Sequence, residues 1–151
     1  MFRLKPIRII LALYFAVNAF ILHAQNDSLE KLLADKLTDT TRVQVLNKLA
    51  LARLFSSPEQ ALDYARSGIQ LSQKINYSNR FALSYLNEGR SFYFLNNYRK
   101  AIESSFRALT EYEKVNDKKG IAGACNNAGG LYDVQRNYTN AMEFYQRALK
   151  L

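Results

Sequence analysis

The side chains that usually carry acid, base and nucleophilic chemistry are scarce in this chain of 151 residues, which has one histidine, His23, and one cysteine, Cys125. A lone thiol with no imidazole partner reads as a small buried hydrophobe, and it can build neither an internal disulfide nor a cysteine-based zinc site. Glu111 and Glu113 lie close in sequence, but residues two apart on a helix point to different faces, which is wrong for paired acid and base work. Gly129-Gly130 lacks the strand and the glycine spacing of a phosphate loop. Arg99, Lys100, Arg107, Lys114, Lys118, Lys119 and Arg136 scatter positive charge in the manner of a solvated face. No catalytic residue, metal ligand or cofactor site is expected. What does recur is a carboxamide, at Asn47, Asn87 and Asn127, 40 residues apart each time. That group offers a donor and an acceptor together. A polar residue recurring on one helix face is equally what solvation, or the capping of a neighbouring helix, would produce.

The elements that must position these residues follow the same period. Ala61, Ala101 and Ala141 are equally spaced, each followed by an apolar residue (Leu62, Ile102, Met142) and, seven on, by a small one (Gly68, Ala108, Ala148). Upstream, Gly89 matches Gly129, Tyr85 matches Cys125, Phe92 matches Tyr132 and Tyr98 matches Tyr138. A fixed period of this length reports a repeat architecture. Each unit reads as two amphipathic helices joined by a tight turn. Ser57-Pro58-Glu59-Gln60 offers an N-cap, a proline at the first helical position and a back-reaching glutamine. Leu95-Asn96-Asn97-Tyr98 and Gln135-Arg136-Asn137-Tyr138 mark the later turns, where Asn either tolerates the left-handed backbone or caps the next helix. Breaks between units fall at 76–79 and 116–120. The spacing predicts helices over about 40–55, 58–75, 79–95, 98–115, 119–135 and from 138 onward, after a short leading helix over 27–36. Gly89 and Gly129, facing the alanines of the partner helix, are expected where two backbones approach closely, with Tyr or Phe filling the gap a turn along.

Small residues at fixed offsets with aromatics between them resemble the tetratricopeptide repeat. The third unit carries the fullest match, in Ala128-Gly129, Tyr132, Tyr138, Ala141, Tyr145 and Ala148. The second keeps Tyr85, Gly89, Phe92, Tyr98, Ala101 and Ala108, with Ser105 at the later aromatic place, and the first keeps Ala61 and Ala65. The period exceeds the roughly 34 residues usual for that family, which lengthened helices explain. The resemblance covers residues 40–151 and implies an all-α fold, a right-handed α-solenoid of three units at about 40–78, 79–118 and 119–151, the last incomplete. It further implies that the first helix of each pair lines an inner wall holding an extended peptide or protein segment. On that wall Asn47, Asn87 and Asn127 would pair with a peptide backbone, and Arg90, Tyr93, Asp133 and Lys48 would supply charge and an aromatic platform. The clamp that cochaperone members use for a terminal carboxylate is not matched, because Gly123 and Asn127 stand where the third unit would need basic residues.

The start of the chain reads differently. Arg3, Lys5 and Arg8 precede an apolar run from Ile9 to Leu22 that ends in Leu22-His23-Ala24-Gln25, the pattern of a secretory signal peptide over 1–24. The run is shorter than the roughly 20 residues of a membrane-spanning helix, so removal is expected, with an inner-membrane anchor over 7–22 as the alternative. Cleavage would take away the histidine and three cations, lowering the formal net charge from +8 to +5. A helical-repeat protein exported to a bacterial envelope, of mild positive charge, is not expected to bind nucleic acid. A composition of 48% hydrophobic and 23% charged residues fits a globular chain.

Elongated repeats behind a signal sequence resemble the front portions of bacterial envelope signalling proteins, and that resemblance implies a non-catalytic scaffold for a protein or peptide, the sensing or assembly portion of a longer envelope signalling protein. The alternatives are a structural oligomerisation or spacer module and, further off, a helical enzyme using carboxylates. The last helix should reach about residue 155 by analogy with the second unit, which predicts either a longer parent chain or self-association through an open C-terminal repeat.

Overall fold

The computed structural model describes residues 27–151, apart from the side chains of Ser78 and Asn79. The segment read as a signal, 1–24, lies outside the described residues. Among them are six helices: α1 (Asp39–Arg53), α2 (Pro58–Lys74), α3 (Ser78–Phe94), α4 (Tyr98–Lys114), α5 (Lys118–Val134) and α6 (Tyr138–Leu149). A helical stretch over 27–34 precedes them. Every helix end falls within two residues of the range expected from the sequence.

The regularity is finer than the 40-residue unit. From α2 onward the helices begin at 58, 78, 98, 118 and 138, and α2 to α5 are each 17 residues long. Three residues are left for every turn, and all four turns are built alike. Asn76, Asn96, Asn116 and Arg136 take positive φ values of 53°, 57°, 51° and 59°. The residue after each donates its N–H to the carbonyl five positions back: Tyr77 to Ser72, Asn97 to Phe92, Asp117 to Tyr112 and Asn137 to Tyr132, at 2.9 to 3.0 Å. This is the Schellman closure, which satisfies otherwise orphaned carbonyls and reverses the chain in one step. Asn97, Asp117 and Asn137 then cap the following helix, accepting from the N–H of Lys100, Gly120 and Asn140. Asparagine therefore does both of the jobs expected of it, on adjacent residues. Ser57 stands at the N-cap with Pro58 inside the helix, but its side chain makes no capping bond and the capping box with Gln60 is not formed. Its backbone, at φ −156° and ψ 79°, belongs to a four-residue connection with no left-handed residue.

Tight turns force consecutive helices side by side. Beyond those neighbours, the backbones of α1 and α3 and of α3 and α5 come close, while α4 and α6 meet through their side chains, Phe106 on Phe144 at 5.5 Å between centroids and Arg147 on Glu113. The odd-numbered helices thus form a continuous inner layer and the even-numbered ones an outer layer that splays, which curves the stack around α1, α3 and α5. The core lies between the layers. One cluster gathers Ala82, Leu86, Ala108, Leu109, Tyr112, Ile121, Ala124 and Cys125, and another Leu62, Phe92, Ala101 and Leu131. Close approach at the small residues is real. A Cβ on Gly89 would lie 3.1 Å from the Ala101 carbonyl oxygen and 2.8 Å from Ser105 Oγ, and one on Gly129 would meet the Tyr145 ring at 2.7 Å. Burial pushes the Cys125 thiol up, in keeping with a packed rather than a reactive group. The leading stretch is tied down by Glu30, which accepts from Arg53 at 2.6 Å and from the Tyr64 hydroxyl at 3.2 Å. Burial, with that carboxylate next, raises the Tyr64 pKa.

Candidate peptide groove

Helix α1 carries Asn47, α3 carries Asn87, Arg90 and Tyr93, and α5 carries Asn127 and Asp133, so all six residues lie on inner-layer helices. Their exposure separates them. Asn47 and Asn87 are buried, at 4% and 1% exposed, and they are spent on each other. Asn87 Nδ2 donates to the Asn47 backbone oxygen at 3.2 Å and to its Oδ1 at 3.1 Å, and Ser84 Oγ donates to the same Oδ1 at 3.0 Å. In this arrangement the pair joins the first unit to the second under the wall surface, and among the described residues Asn47 Nδ2 has no partner. Asn127 is half-buried and turns instead to the outer layer, donating to Ser105 Oγ at 2.7 Å. Its carbonyl oxygen is not used in that bond. Asp133 is exposed, and Tyr93 is half-buried among rings, 5.3 Å from Phe94 and 5.9 Å from Tyr98 between centroids.

Arg90, Tyr93 and Asn127 do come together. They border a cleft of about 370 Å³ that crosses all three inner helices, with Leu51, Leu54 and Phe55 on one side, Phe94 in the middle, and Asn126, Gly130 and Leu131 on the other. Its lining is mainly apolar, and part of it faces solvent: Leu51 is 52% and Phe55 83% exposed. Phe55 holds Phe94 edge to face at 4.8 Å, so the two rings form a single apolar rim. Two further clefts extend the depression. One, of about 140 Å³, lies over Gln44, Lys48, Arg80 and Leu83, with Asn47 and Asn87 at its base. The other, of about 420 Å³, runs between Arg80 and Leu86 on α3 and Lys119 to Gly123 on α5, beside Tyr112 and Asp117. Arg90 borders all three.

The electrostatics of that wall are uneven. Arg90 is half-buried, and among the described residues its hydrogen bond is to Asn87 Oδ1 at 3.4 Å. Burial lowers its pKa from the ordinary arginine value, and the Tyr112 hydroxyl nearby acts weakly the other way. Arg80 and Gln44, near the Tyr77 hydroxyl, favour its ionised form and lower its pKa. Glu88, the acid on α3, faces away, toward Arg66 at 3.4 Å and Ser104 at 2.8 Å in the outer layer. Leu51, Leu54, Phe55, Phe94, Gly130 and Leu131 were not picked out by the sequence reading. The signal available was the apolar recurrence at 54, 94 and 134, at the ends of the inner helices, where Leu54 is buried while Phe94 and Val134 stay exposed.

A mostly apolar cleft with a few convergent polar groups is the ordinary form of a binding site. The fold around it is shared with solved structures. The TPR domain of FLU from Arabidopsis superposes with a TM-score of 0.68 at 18% identity, over 75% of this chain and 96% of that one. BtubC (BKLC) from P. vanneervenii superposes with a TM-score of 0.73 at 16% identity, over 85% of this chain and 55% of that one. No family model and no curated protein matches the sequence. The chain has a tetratricopeptide-like fold, an all-α solenoid of paired helices.

Proposed function

We propose that the chain is a non-catalytic interaction scaffold that holds a segment of another protein along the inner wall. The observation carrying this is the cleft bordered by Leu51, Arg90 and Gly130, one residue from each inner helix, open to solvent and apolar at its rim. Curved stacks of helix pairs use such concave surfaces for extended partners. The site residues are then Arg90, Tyr93 and Asn127, with Asn47 and Asn87 bracing the wall from beneath and Asp133 at the edge. A displayed random-peptide library panned on the full chain tests the reading. Retained peptides should be lost when the cleft is filled by Gly130→Phe or made repulsive by Leu51→Arg, with helicity unchanged. Peptides that bind all three proteins alike would remove the groove from consideration.

We further infer export to a bacterial envelope, supported by the charge and hydropathy pattern of residues 1–24, and service as the sensing or assembly part of a longer signalling protein, supported by the resemblance of elongated repeats behind such a leader to envelope signalling proteins. Mass spectrometry of a C-terminally tagged chain from the envelope fraction should find Gln25 as the first residue. A tag confined to the cytoplasm with Met1 retained would overturn it.

A second reading has one observation of its own. Tyr138, Met142 and Leu149 form an exposed stripe on one face of α6. That favours self-association, and sedimentation velocity should then show a dimer that Met142→Glu returns to monomer.

A further inference from the structure

We propose that the groove takes a segment bearing a carboxylate side chain beside apolar residues, the carboxylate against Arg90 and the apolar residues over Leu51, Phe55 and Phe94. The proposal rests on the peptide-groove reading and adds the chemistry of the occupant.

Arg90 is singular in its row. The equivalent positions in the neighbouring units are Ala50 and Gly130, so one long cation stands between two places that leave it room. Gly130 forms part of the same cleft wall. Arg53, Arg66, Arg99, Lys114 and Arg147 each meet a carboxylate. Arg90, although more enclosed than a surface cation, meets no carboxylate among the described residues and bonds to the neutral Asn87 carboxamide oxygen. A guanidinium drawn partly out of water without a counter-ion loses hydration that a fitted carboxylate restores, and its planar donor fork suits a carboxylate in particular. Lys48 and Lys119 border the adjoining clefts on either side and are in no ion pair among the described residues, while Glu88 is committed to the outer layer. Asp117 borders the cleft beside Lys119 and accepts from the Gly120 N–H at 3.0 Å, while Arg80 adds a further cation, so cations outnumber acids along these clefts and favour an acidic partner over a basic one.

The form of the occupant follows from the groove. The clefts continue past Arg90 in more than one direction, so a chain can run through on both sides of it, whereas a terminal carboxylate would call for a closed end. An internal Asp or Glu fits. The leading segment of this chain does not, because Arg3, Lys5 and Arg8 are its only charged residues before Asp27. Asn127, with Nδ2 engaged by Ser105, keeps its carbonyl oxygen for a peptide N–H next to the carboxylate.

The test is a peptide selected from the displayed library on the full chain, labelled and titrated by fluorescence anisotropy. Its consensus should contain Asp or Glu within a few residues of an aromatic or aliphatic side chain. Replacing that acid by its amide, or making Arg90→Gln, should each weaken binding about tenfold or more, as expected for a charge-assisted hydrogen bond. Making both changes should cost little beyond either one. Arg90→Lys should retain part of the affinity, and amidating the peptide C-terminus should leave it unchanged. Circular dichroism checks folding, and should Arg90→Gln unfold, the peptide substitution and Arg90→Lys still decide. A consensus without acid, indifference to Arg90→Gln, additive losses, or dependence on a free C-terminus would overturn the proposal. Peptides blocked by Gly130→Phe yet indifferent to loss of their acid would sink this inference alone. Peptides that Gly130→Phe does not block would take the groove reading with it.

Discussion

The junction between the first and second units and the junction between the second and third occupy equivalent places in the stack, yet they are closed by different chemistry. At the first, Ser84 on the inner layer donates to Asn47, and the outer-layer position opposite Asn87 is Ala65. At the second the two residue types change places: Ala124 replaces the serine and Ser105 replaces the alanine. Asn87, with Ala65 rather than a hydroxyl opposite it, bonds back to Asn47; Asn127, given Ser105, bonds outward and stays half-exposed. Size is exchanged as well. Gly68 faces Ser84 at the first junction, a Cβ there falling 2.7 Å from the hydroxyl, while the second uses Ala108 and Ala124. Where the first has Ser72 and Arg80, the second has Tyr112 and Gly120, and the Tyr112 ring fills the space a Gly120 side chain would take. One backbone spacing is thus satisfied twice by redistributing the same groups, and only one solution leaves an asparagine at the groove.

The contrast can be broken most directly at Gly120. Gly120→Ala should cost about 3 kcal/mol by overpacking against Tyr112, a penalty absent in a Tyr112→Ser background; urea unfolding measures both. Next, Asn87→Ala should cost about 2 kcal/mol, since it leaves the buried Asn47 oxygens short of a donor, and Asn127→Ala under about 1 kcal/mol, since Ser105 Oγ keeps its bond to the Ala101 carbonyl. Equal costs would mean that the two junctions are not distinct. The alkaline loss of stability should belong to the second junction, since at the first the Tyr77 pKa is lowered rather than raised. Burial raises the Tyr112 pKa to about 12, so the folded state resists an ionisation that the unfolded chain undergoes near 10. This contribution is complete below pH 10 and is lost as pH rises toward 12, on the order of 2 kcal/mol, and Tyr112→Phe should flatten that part of the stability profile. Gly68→Ala should cost about 1 kcal/mol alone and less beside Ser84→Ala, a double-mutant coupling of about that size. Smallest of all, Arg136→Asn should stabilise by about 0.5 kcal/mol, because asparagine tolerates the left-handed backbone better than arginine does.

Helix positions were readable because their punctuation is local: Pro58, Asn76, Asn96-Asn97, Asn116-Asp117 and Asn137 act through their own backbone dihedrals and first-turn N–H groups. The recurrence of Asn47, Asn87 and Asn127 on the inner layer was readable for the same reason. What each carboxamide does was not, because it depends on whether position 84 or 105, on another helix, carries a hydroxyl. The cleft was harder still. Leu51, Phe55, Phe94 and Gly130 are brought together only by stacking units, and an exposed Phe55 looks in sequence like any other apolar residue near a helix end. Ser57 misled in the opposite sense, since its motif is present and its bond is not formed.

The three-residue turns have a kinetic consequence. Each reversal closes through hydrogen bonds within six residues, and no helix packs on anything further away than the next but one. Loop closure is therefore cheap everywhere along the chain, and any adjacent helix pair can serve as a nucleus from which order spreads both ways. Severing one such turn should leave both fragments able to find each other again as preformed hairpins.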